Sequence, residues 1–188
     1  MKNLFKMFVT ITGIALVCLT ACKKGEDMSN LPETDQVRLT TNFGEIIIEL
    51  YPDKAPVSVK NFKAYVRDGY YDNTLFHRIV PGFVIQAGGI TTDNTPQAPL
   101  KPAITNESDN GLENNRGTVA YGLKPNQKNS ATSHFYINLS DNNNLDYDAG
   151  KDFGYAVFGK VADGMDVVAT IAGVNPDEKQ VIIEKAEI

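Results

Sequence analysis

The sequence predicts a mainly β fold, a closed eight-stranded antiparallel barrel capped by two α-helices. From residue 36 onward, eight short segments rich in β-branched and aromatic residues are separated by Gly, Pro, Asn or Asp, which is typical of strands joined by turns. Two further segments have the three- and four-residue apolar spacing of helices. Closure into a barrel would remove the exposed strand edges that an open sheet leaves.

The elements follow one another from residue 36. A turn signal at 42–44 divides 36–50 into two strands. Helical spacing then predicts a first helix within 55–71, which Gly69 is placed to end. A second helix is predicted within 164–173. The other six strands are predicted in the segments LFHRIV, FVIQAG, GTVAYG, SHFYIN, YAVFGKV and QVIIEKAEI.

The first 35 residues are predicted to lie outside this domain. Residues 1–21 combine two lysines with an apolar run that is too short for a durable membrane span, which indicates a secretory signal. The run ends in LTAC, which resembles the bacterial lipoprotein box and implies lipidation of Cys22. The alternative is an ordinary cleaved signal followed by a chance cysteine. Residues 22–35 are predicted to be a flexible tether that spans about 20 Å, and residues 36–188 to be the functional domain.

The lipid would place the protein in the cell envelope. Lys23, rather than an aspartate, follows the lipidated cysteine, which favours the outer membrane over retention in the inner one. The domain would then face the periplasm or the cell surface. With Cys18 removed and Cys22 lipidated, no disulfide is expected, and the domain should be a monomer that is stable on packing alone.

Charge and composition exclude several classes of function. After removal of residues 1–21 the chain has 16 basic and 23 acidic residues, a formal net charge of −7, which argues against nucleic acid as a partner. Only two histidines exist, so a metal site is not expected. The chain has neither a GxSxG motif nor a phosphate loop. We therefore expect chemistry that needs no nucleophile, metal or cofactor. Two long polar loops, 91–116 and 138–154, are expected to be functional.

The segment at 76–89, FHRIVPGFVIQAGG, carries a permanent cation, Arg78, among apolar residues. A surface arginine on a solvent-facing strand is one interpretation, and a cation held over an apolar pocket is the other. Together with NSATSHFYI and DFGYAVFGKVADGMDVV, the segment resembles the cyclophilin-type peptidyl-prolyl cis-trans isomerases, in their bacterial exported form. The resemblance covers about 36–188. It implies an eight-stranded barrel with two capping helices and an active site on the outer face.

The resemblance also implies the residues of the site. Arg78 would be catalytic by holding the prolyl carbonyl oxygen, and Gln86 would contact the substrate backbone or orient the arginine. An apolar floor for the proline ring would be formed by Phe83, Val84, Tyr136 and Leu145, with Tyr155 at the rim. Further substrate-binding positions are His77, Gly122, Leu123 and His134.

Some of these positions depart from the pattern of the family. His134 stands in place of a glutamine and is expected to charge near pH 6–7. Tyr136 stands in place of a phenylalanine, so its hydroxyl must find a partner. Val84 replaces a longer methionine, and the segment at 122–124 differs from the usual Ala-Asn-Ala-like sequence. Asn144 occupies the place of a tryptophan that helps to bind cyclosporin, which implies weak sensitivity to that drug.

The resulting hypothesis is an isomerase of X-Pro bonds that assists the folding of exported, proline-containing polypeptides. The alternative is a non-catalytic peptide-binding or chaperone module on the same fold. Inactive domains of this type typically lose the arginine, and this chain keeps Arg78, so the enzyme is favoured. A third hypothesis, in which holding unfolded proteins is the main task, is left open by the sequence.

Overall fold

The computed structural model describes residues 34–188. The predicted signal at 1–21, the lipidated Cys22 and nearly all of the predicted tether lie outside these residues. The described chain forms a nine-stranded antiparallel sheet with two α-helices. The strands are β1 Gln36–Thr41, β2 Gly44–Leu50, β3 Thr74–Leu75, β4 Arg78–Val80, β5 Val84–Ala87, β6 Thr118–Tyr121, β7 Phe135–Asn138, β8 Val157–Asp163 and β9 Ile182–Glu187. The helices are α1 Pro56–Arg67 and α2 Met165–Ala172, and a 3-10 turn spans Asn143–Leu145.

The mainly β class with two helices is confirmed, and the strand count differs by one. The predicted strand LFHRIV is two strands, β3 and β4. Phe76, between them, is buried, and its backbone N–H donates to the Val181 carbonyl at 2.9 Å, whereas β4 pairs with β5. The chain therefore changes its pairing partner at Phe76 and His77, which a local pattern of apolar residues does not reveal.

The strand order explains how the sheet bends round on itself. It is β3-β9-β1-β2-β8-β6-β7-β5-β4, so the two end strands are consecutive in the chain. Because only Phe76 and His77 separate them, the two ends of the sheet lie within about 10 Å of each other. No ladder of hydrogen bonds joins β3 to β4 within residues 34–188. The covalent link, rather than a ladder, closes the barrel at this point.

Alternation along the strands produces two apolar clusters, one on each face of the sheet. Successive side chains of a strand point to opposite faces. In β7, Phe135 and Ile137 belong to the large core beneath α1, whereas Tyr136 belongs to a small cluster on the other face. The small cluster consists of Val84, Ala120, Tyr136 and Val157, with Phe83, Leu112, Leu145 and Tyr155 packed against it.

Helix α1 begins at an N-terminus that a distant loop completes. Its N-cap residue, Ala55, offers no side-chain hydrogen bond. Instead the Glu107 carboxylate, from loop 91–116, accepts from the backbone N–H groups of Val57 at 3.0 Å and Ser58 at 2.8 Å. An anion at a helix N-terminus satisfies free N–H groups and interacts favourably with the helix dipole. The loop is thereby fixed to the helix.

Candidate active site

The two predicted catalytic residues face each other across adjacent strands. Arg78 in β4 is the register partner of Gln86 in β5, and the Arg78 Nη1 donates to Gln86 Oε1 at 3.5 Å. Gln86 is in turn opposite Tyr136 of β7, and Tyr136 is opposite Ala120 of β6. Directly opposite residues share a face of the sheet. The outer face thus carries a row that runs from a cation through an amide to an apolar floor.

A cavity of about 370 Å³ opens beside this row. Its lining includes nine of the predicted site residues, and Pro125 is the additional member that the sequence reasoning did not name. Pro125 directly follows the segment at 122–124, which contains two predicted substrate-binding residues. Its place in the sequence could therefore have indicated that it lines the cavity. The lining residues are Arg78, Phe83, Val84, Gln86, Gly122, Leu123, Pro125, Tyr136, Leu145 and Tyr155.

Arg78 presents its guanidinium at the border of the cavity. The residue is exposed, and its Cζ atom lies 5.8 Å from the centroid of the Phe83 ring. Within residues 34–188, no carboxylate forms a salt bridge with Arg78. A guanidinium has five donors in a planar fork. Since the recorded contact with Gln86 engages one nitrogen, donors remain for a carbonyl oxygen at the cavity.

The floor of the cavity is buried and apolar, with one hydroxyl that has its partner. Val84 and Tyr136 are buried, and Phe83, Leu145 and Tyr155 are half-buried around them. The Tyr136 hydroxyl donates to Asn114 Oδ1 at 2.9 Å, beneath the floor. Burial raises the pKa of Tyr136 well above its usual range, so the phenol stays neutral. The expected need for a hydrogen-bond partner is therefore met away from the cavity.

With this geometry established, comparisons with known proteins identify the family. The family described as "Cyclophilin type peptidyl-prolyl cis-trans isomerase/CLD" matches residues 36–188. The chain belongs to this family. It is a cyclophilin-type peptidyl-prolyl cis-trans isomerase.

Two curated relatives of this cyclophilin are bacterial isomerases. It is 52% identical over 138 residues to the peptidyl-prolyl cis-trans isomerase of Acinetobacter baylyi, covering 73% of this chain and 72% of the relative. It is 47% identical over 161 residues to peptidyl-prolyl cis-trans isomerase A of Dickeya dadantii, covering 81% and 83%. A crystal structure of a Cryptosporidium parvum cyclophilin, in the presence of the dipeptide Ala-Pro, matches with a TM-score of 0.71 and 28% identity, covering 81% of this chain and 98% of that one.

Two predicted positions of the cyclophilin lie beside the cavity rather than in its lining. His134 lines a neighbouring cavity of about 380 Å³, which shares Gln86, Gly122 and Leu123 with the first. His77 packs edge-to-face against His134, with ring centroids 5.3 Å apart. An ideal Cβ at Gly89, whose φ is +151°, would lie 2.5 Å from His134 Nε2, so glycine is required under the ring.

Burial disfavours the charged forms of both histidines beside the cavity. Burial lowers the pKa of His134 from its usual value, so the ring is neutral at neutral pH. Burial, and then the neighbouring His134, also lower the pKa of His77 to about 4. Desolvation disfavours the charged form of an imidazole. Of Arg78, His77 and His134, only Arg78 is therefore charged at neutral pH and can act on a substrate as a cation.

Asn144 and Gly122 are two further positions at which the sequence departs from the family pattern. Asn144 is exposed in the 3-10 turn that leads into Leu145, so an indole in its place would stand beside the cavity wall. The Gly122 N–H donates to the His134 carbonyl at 2.9 Å. That donor is consequently engaged within the domain.

Neither a metal site nor a membrane-crossing helix is found among the described residues. Among residues 34–188, no group of three or more His, Cys, Asp or Glu side chains could hold a metal ion. In the same part of the chain, no helix is both long enough and apolar enough to cross a membrane.

Proposed function

We propose that Arg78 and the adjoining cavity form the catalytic site of the isomerase, and that its substrates are proline-containing segments of exported proteins. The main support is the Arg78 guanidinium, which lies opposite Gln86 at the border of an apolar cavity and has no carboxylate partner among residues 34–188. The Cryptosporidium parvum relative was crystallised in the presence of Ala-Pro, a substrate fragment of this chemical class.

The chemistry requires only that a rotational barrier falls. Rotation about a peptide bond costs about 18–20 kcal/mol, because the nitrogen lone pair is delocalised into the carbonyl group. The cis and trans forms of an X-Pro bond differ by only about 0.5–1 kcal/mol, so the reaction needs no energy input. A site that binds the twisted bond more tightly than either planar form accelerates the interconversion.

Each part of the site has a role in this scheme. The proline ring enters the apolar cavity against Phe83 and Tyr136, which fixes one side of the bond. The Arg78 guanidinium donates to the prolyl carbonyl oxygen and favours a pyramidal prolyl nitrogen, where the lone pair becomes localised. Gln86 holds the guanidinium by accepting from its Nη1 and contacts the substrate backbone. Rotation then occurs without a nucleophile or an external proton donor.

The proposal also includes a membrane anchor. Residues 1–21 act as the signal, Cys22 carries the lipid, and residues 22–35 tether the domain to the outer membrane. Support comes from the apolar run, the LTAC box and Lys23 in the sequence. An anchored isomerase would meet exported proteins as they reach the envelope and before they fold. At that stage their X-Pro bonds interconvert slowly between the cis and trans forms.

Substitution of Arg78 tests the catalytic assignment. Removal of one preorganised donor typically costs 10²–10³ in rate. We expect Arg78→Ala to lower kcat/KM on an X-Pro peptide by about that factor, in a protease-coupled assay, with unchanged circular dichroism. Arg78→Lys should recover little, because an ammonium loses the planar fork.

Arg116→Ala is the matched control, since Arg116 is also exposed but does not line the cavity. We expect it to retain wild-type activity. A folded Arg78→Ala protein with near wild-type kcat/KM would contradict the assignment. That result would favour the non-catalytic peptide-binding module. The affinity of the variant for an unfolded polypeptide would measure this function separately.

A further inference from the structure

We propose that Asn114, which does not line the cavity, is a positioning residue that holds the cavity wall in its binding shape. The inference rests on the proposed function, because it takes the cavity to be the site of the proline ring. Asn114 lies in loop 91–116 and is 1% exposed, so it cannot touch a substrate. Its effect must act through the residues that its side chain contacts.

The Asn114 side chain uses both ends of its amide. Its Oδ1 accepts from the Tyr136 hydroxyl at 2.9 Å and from Asn138 Nδ2 at 3.3 Å. Its Nδ2 donates to Asp146 Oδ1 at 3.0 Å and to the Tyr155 carbonyl at 3.2 Å, and its backbone N–H donates to the same Asp146 oxygen at 2.6 Å. One buried side chain therefore binds three separate segments of the chain.

Each of these three segments contributes to the cavity. Tyr136 is the floor, Asp146 immediately follows the wall residue Leu145, and Tyr155 is a wall residue itself. They lie 22, 32 and 41 residues from Asn114 in the sequence. A backbone hydrogen bond from the Tyr155 N–H to the Leu145 carbonyl, at 2.8 Å, joins the two wall residues. Asn114 adds hydrogen bonds between this wall and the floor to the edge-to-face contact of the Tyr136 and Tyr155 rings, whose centroids lie 6.0 Å apart.

The chemistry at this position requires an amide. The phenol of Tyr136 is a donor here, so an oxygen must face it, and the Asp146 carboxylate accepts only, so an N–H must face it. Aspartate has the same shape as asparagine but would set a second carboxylate against Asp146. A like-charge pair at this partly buried site is costly, and the Tyr155 carbonyl loses the donor that it faces. Asn114→Asp should therefore displace the wall while it keeps the contact with Tyr136.

The test compares KM with kcat for Asn114→Asp on an X-Pro peptide. We expect KM to rise about tenfold, because the proline ring meets a displaced wall. We expect kcat to stay within about twofold, since Arg78 and Gln86 are not part of this network. Adding Asp146→Asn removes the like-charge pair, and the double variant should recover part of the KM. Such a rescue, read in KM alone, distinguishes positioning from a general loss of stability.

Asn42→Ala is the matched control. The Asn42 amide also bridges two segments, donating to the Gln180 carbonyl and accepting from the Ile182 N–H, but it lies at the β1–β2 turn and outside the cavity. We expect it to cost stability and leave KM unchanged. Should Asn114→Asp fail to fold, Asn114→Ser, which stays neutral and loses the side-chain hydrogen bonds to Asp146 and the Tyr155 carbonyl, decides the question by the same measurement.

A folded Asn114 variant with a KM within about twofold of wild type would overturn this role. Phe83→Ala separates that failure from a failure of the proposed function. If Phe83→Ala raises KM while the Asn114 variants do not, the cavity binds proline and Asn114 does not position it. If Phe83→Ala also leaves KM unchanged, the cavity is not the proline site.

Discussion

His77 and His134, which lie beside the site, are expected to make the stability of the domain depend on pH. Both rings are partly buried and in contact, and their pKa values lie below the usual value for histidine. Both rings are thus packed as neutral groups, and His77 directly precedes Arg78 in the chain. Protonation of His77 in the folded state would place a second positive charge against the guanidinium.

This arrangement predicts a stability that falls in acid. The pKa of His77 is about 4 in the folded protein and about 6.5 in the unfolded chain, so the unfolded state binds the proton more readily. The stabilisation is complete above pH 6.5 and is lost as the pH falls from 6.5 towards 4. Because the ring keeps some contact with water, we expect His77 to account for about 1 kcal/mol of the loss between pH 7.5 and 5.5.

Urea unfolding at the two pH values measures this term. His77→Gln should reduce the difference in unfolding free energy between pH 7.5 and 5.5 relative to wild type. Carboxylates change little over this range, so the comparison reports mainly on histidine. An unchanged pH dependence in His77→Gln would show that the ring is not kept neutral by the fold.

At the residue level, the sequence identified nine of the ten positions that line the cavity and did not identify Asn114 behind them. Arg78, Gln86 and Phe83 lie within one contiguous motif, Tyr136 and Tyr155 lie in two others, and Leu145 lies in loop 138–154. Asn114 lies in a polar loop directly before another asparagine, Asn115, which is exposed. Nothing local distinguishes the two. Their difference arises from long-range hydrogen bonds that a sequence pattern does not encode.

At the level of elements, loop 91–116 acts as a structural component of α1 and of the cavity. It supplies Glu107 to the helix N-terminus and Asn114 to the floor. The two long loops were expected to be functional. Loop 138–154 also contributes to the cavity, since it provides Leu145 to the lining. A helix that lacks a cap of its own depends on such a partner.

Glu107→Ala should therefore destabilise the domain. The change removes an anion that accepts two backbone N–H groups at the start of α1, and the loss of such a cap costs about 1–2 kcal/mol. Chemical denaturation monitored by circular dichroism measures the effect. Glu184→Ala, in the exposed part of β9, removes the same charge without a helix terminus and should stay within about 0.5 kcal/mol. Equal losses in both variants would contradict the capping role.

The elements themselves were largely predictable, and one boundary was not. Turn residues and alternation placed the strands, and Gly69 and Gly173 mark the helix ends as expected. The division of LFHRIV into β3 and β4 was missed, because both halves are apolar and β-forming. The break is set by Phe76, whose backbone pairs with Val181 about a hundred residues later.

On the scale of the whole molecule, the domain begins at a point that is fixed to its body. Lys63 of α1 is nearly buried, with 8% of its side chain exposed, and its Nζ pairs with the Asp35 carboxylate at 2.9 Å. The Asp35 carbonyl also accepts from the Leu50 N–H at 2.7 Å. Any tether in residues 22–33 would therefore join the domain at an ordered residue.

The proposed anchor leads to a fractionation experiment. We expect the full-length protein to sediment with membranes and to incorporate labelled fatty acid, and Cys22→Ser to do neither, because a thioether-linked lipid requires the thiol. Cys18→Ser is the control and should behave as wild type, since Cys18 lies within the predicted signal. Membrane association of Cys22→Ser without incorporated label would contradict lipidation at this residue.

The place of β9 in the sheet has a consequence for biosynthesis. β9 lies between β3 and β1, and the Ile182 N–H bonds to Asn42 across 140 residues of chain. A nascent chain that ends before β9 would hold two strands with unpaired backbone edges, the kind of edge that recruits other chains. Translation therefore delivers the strand that completes the N-terminal half of the sheet only after the cavity strands have been made. Until then the sheet is incomplete, so this isomerase would complete its own fold only late in its synthesis.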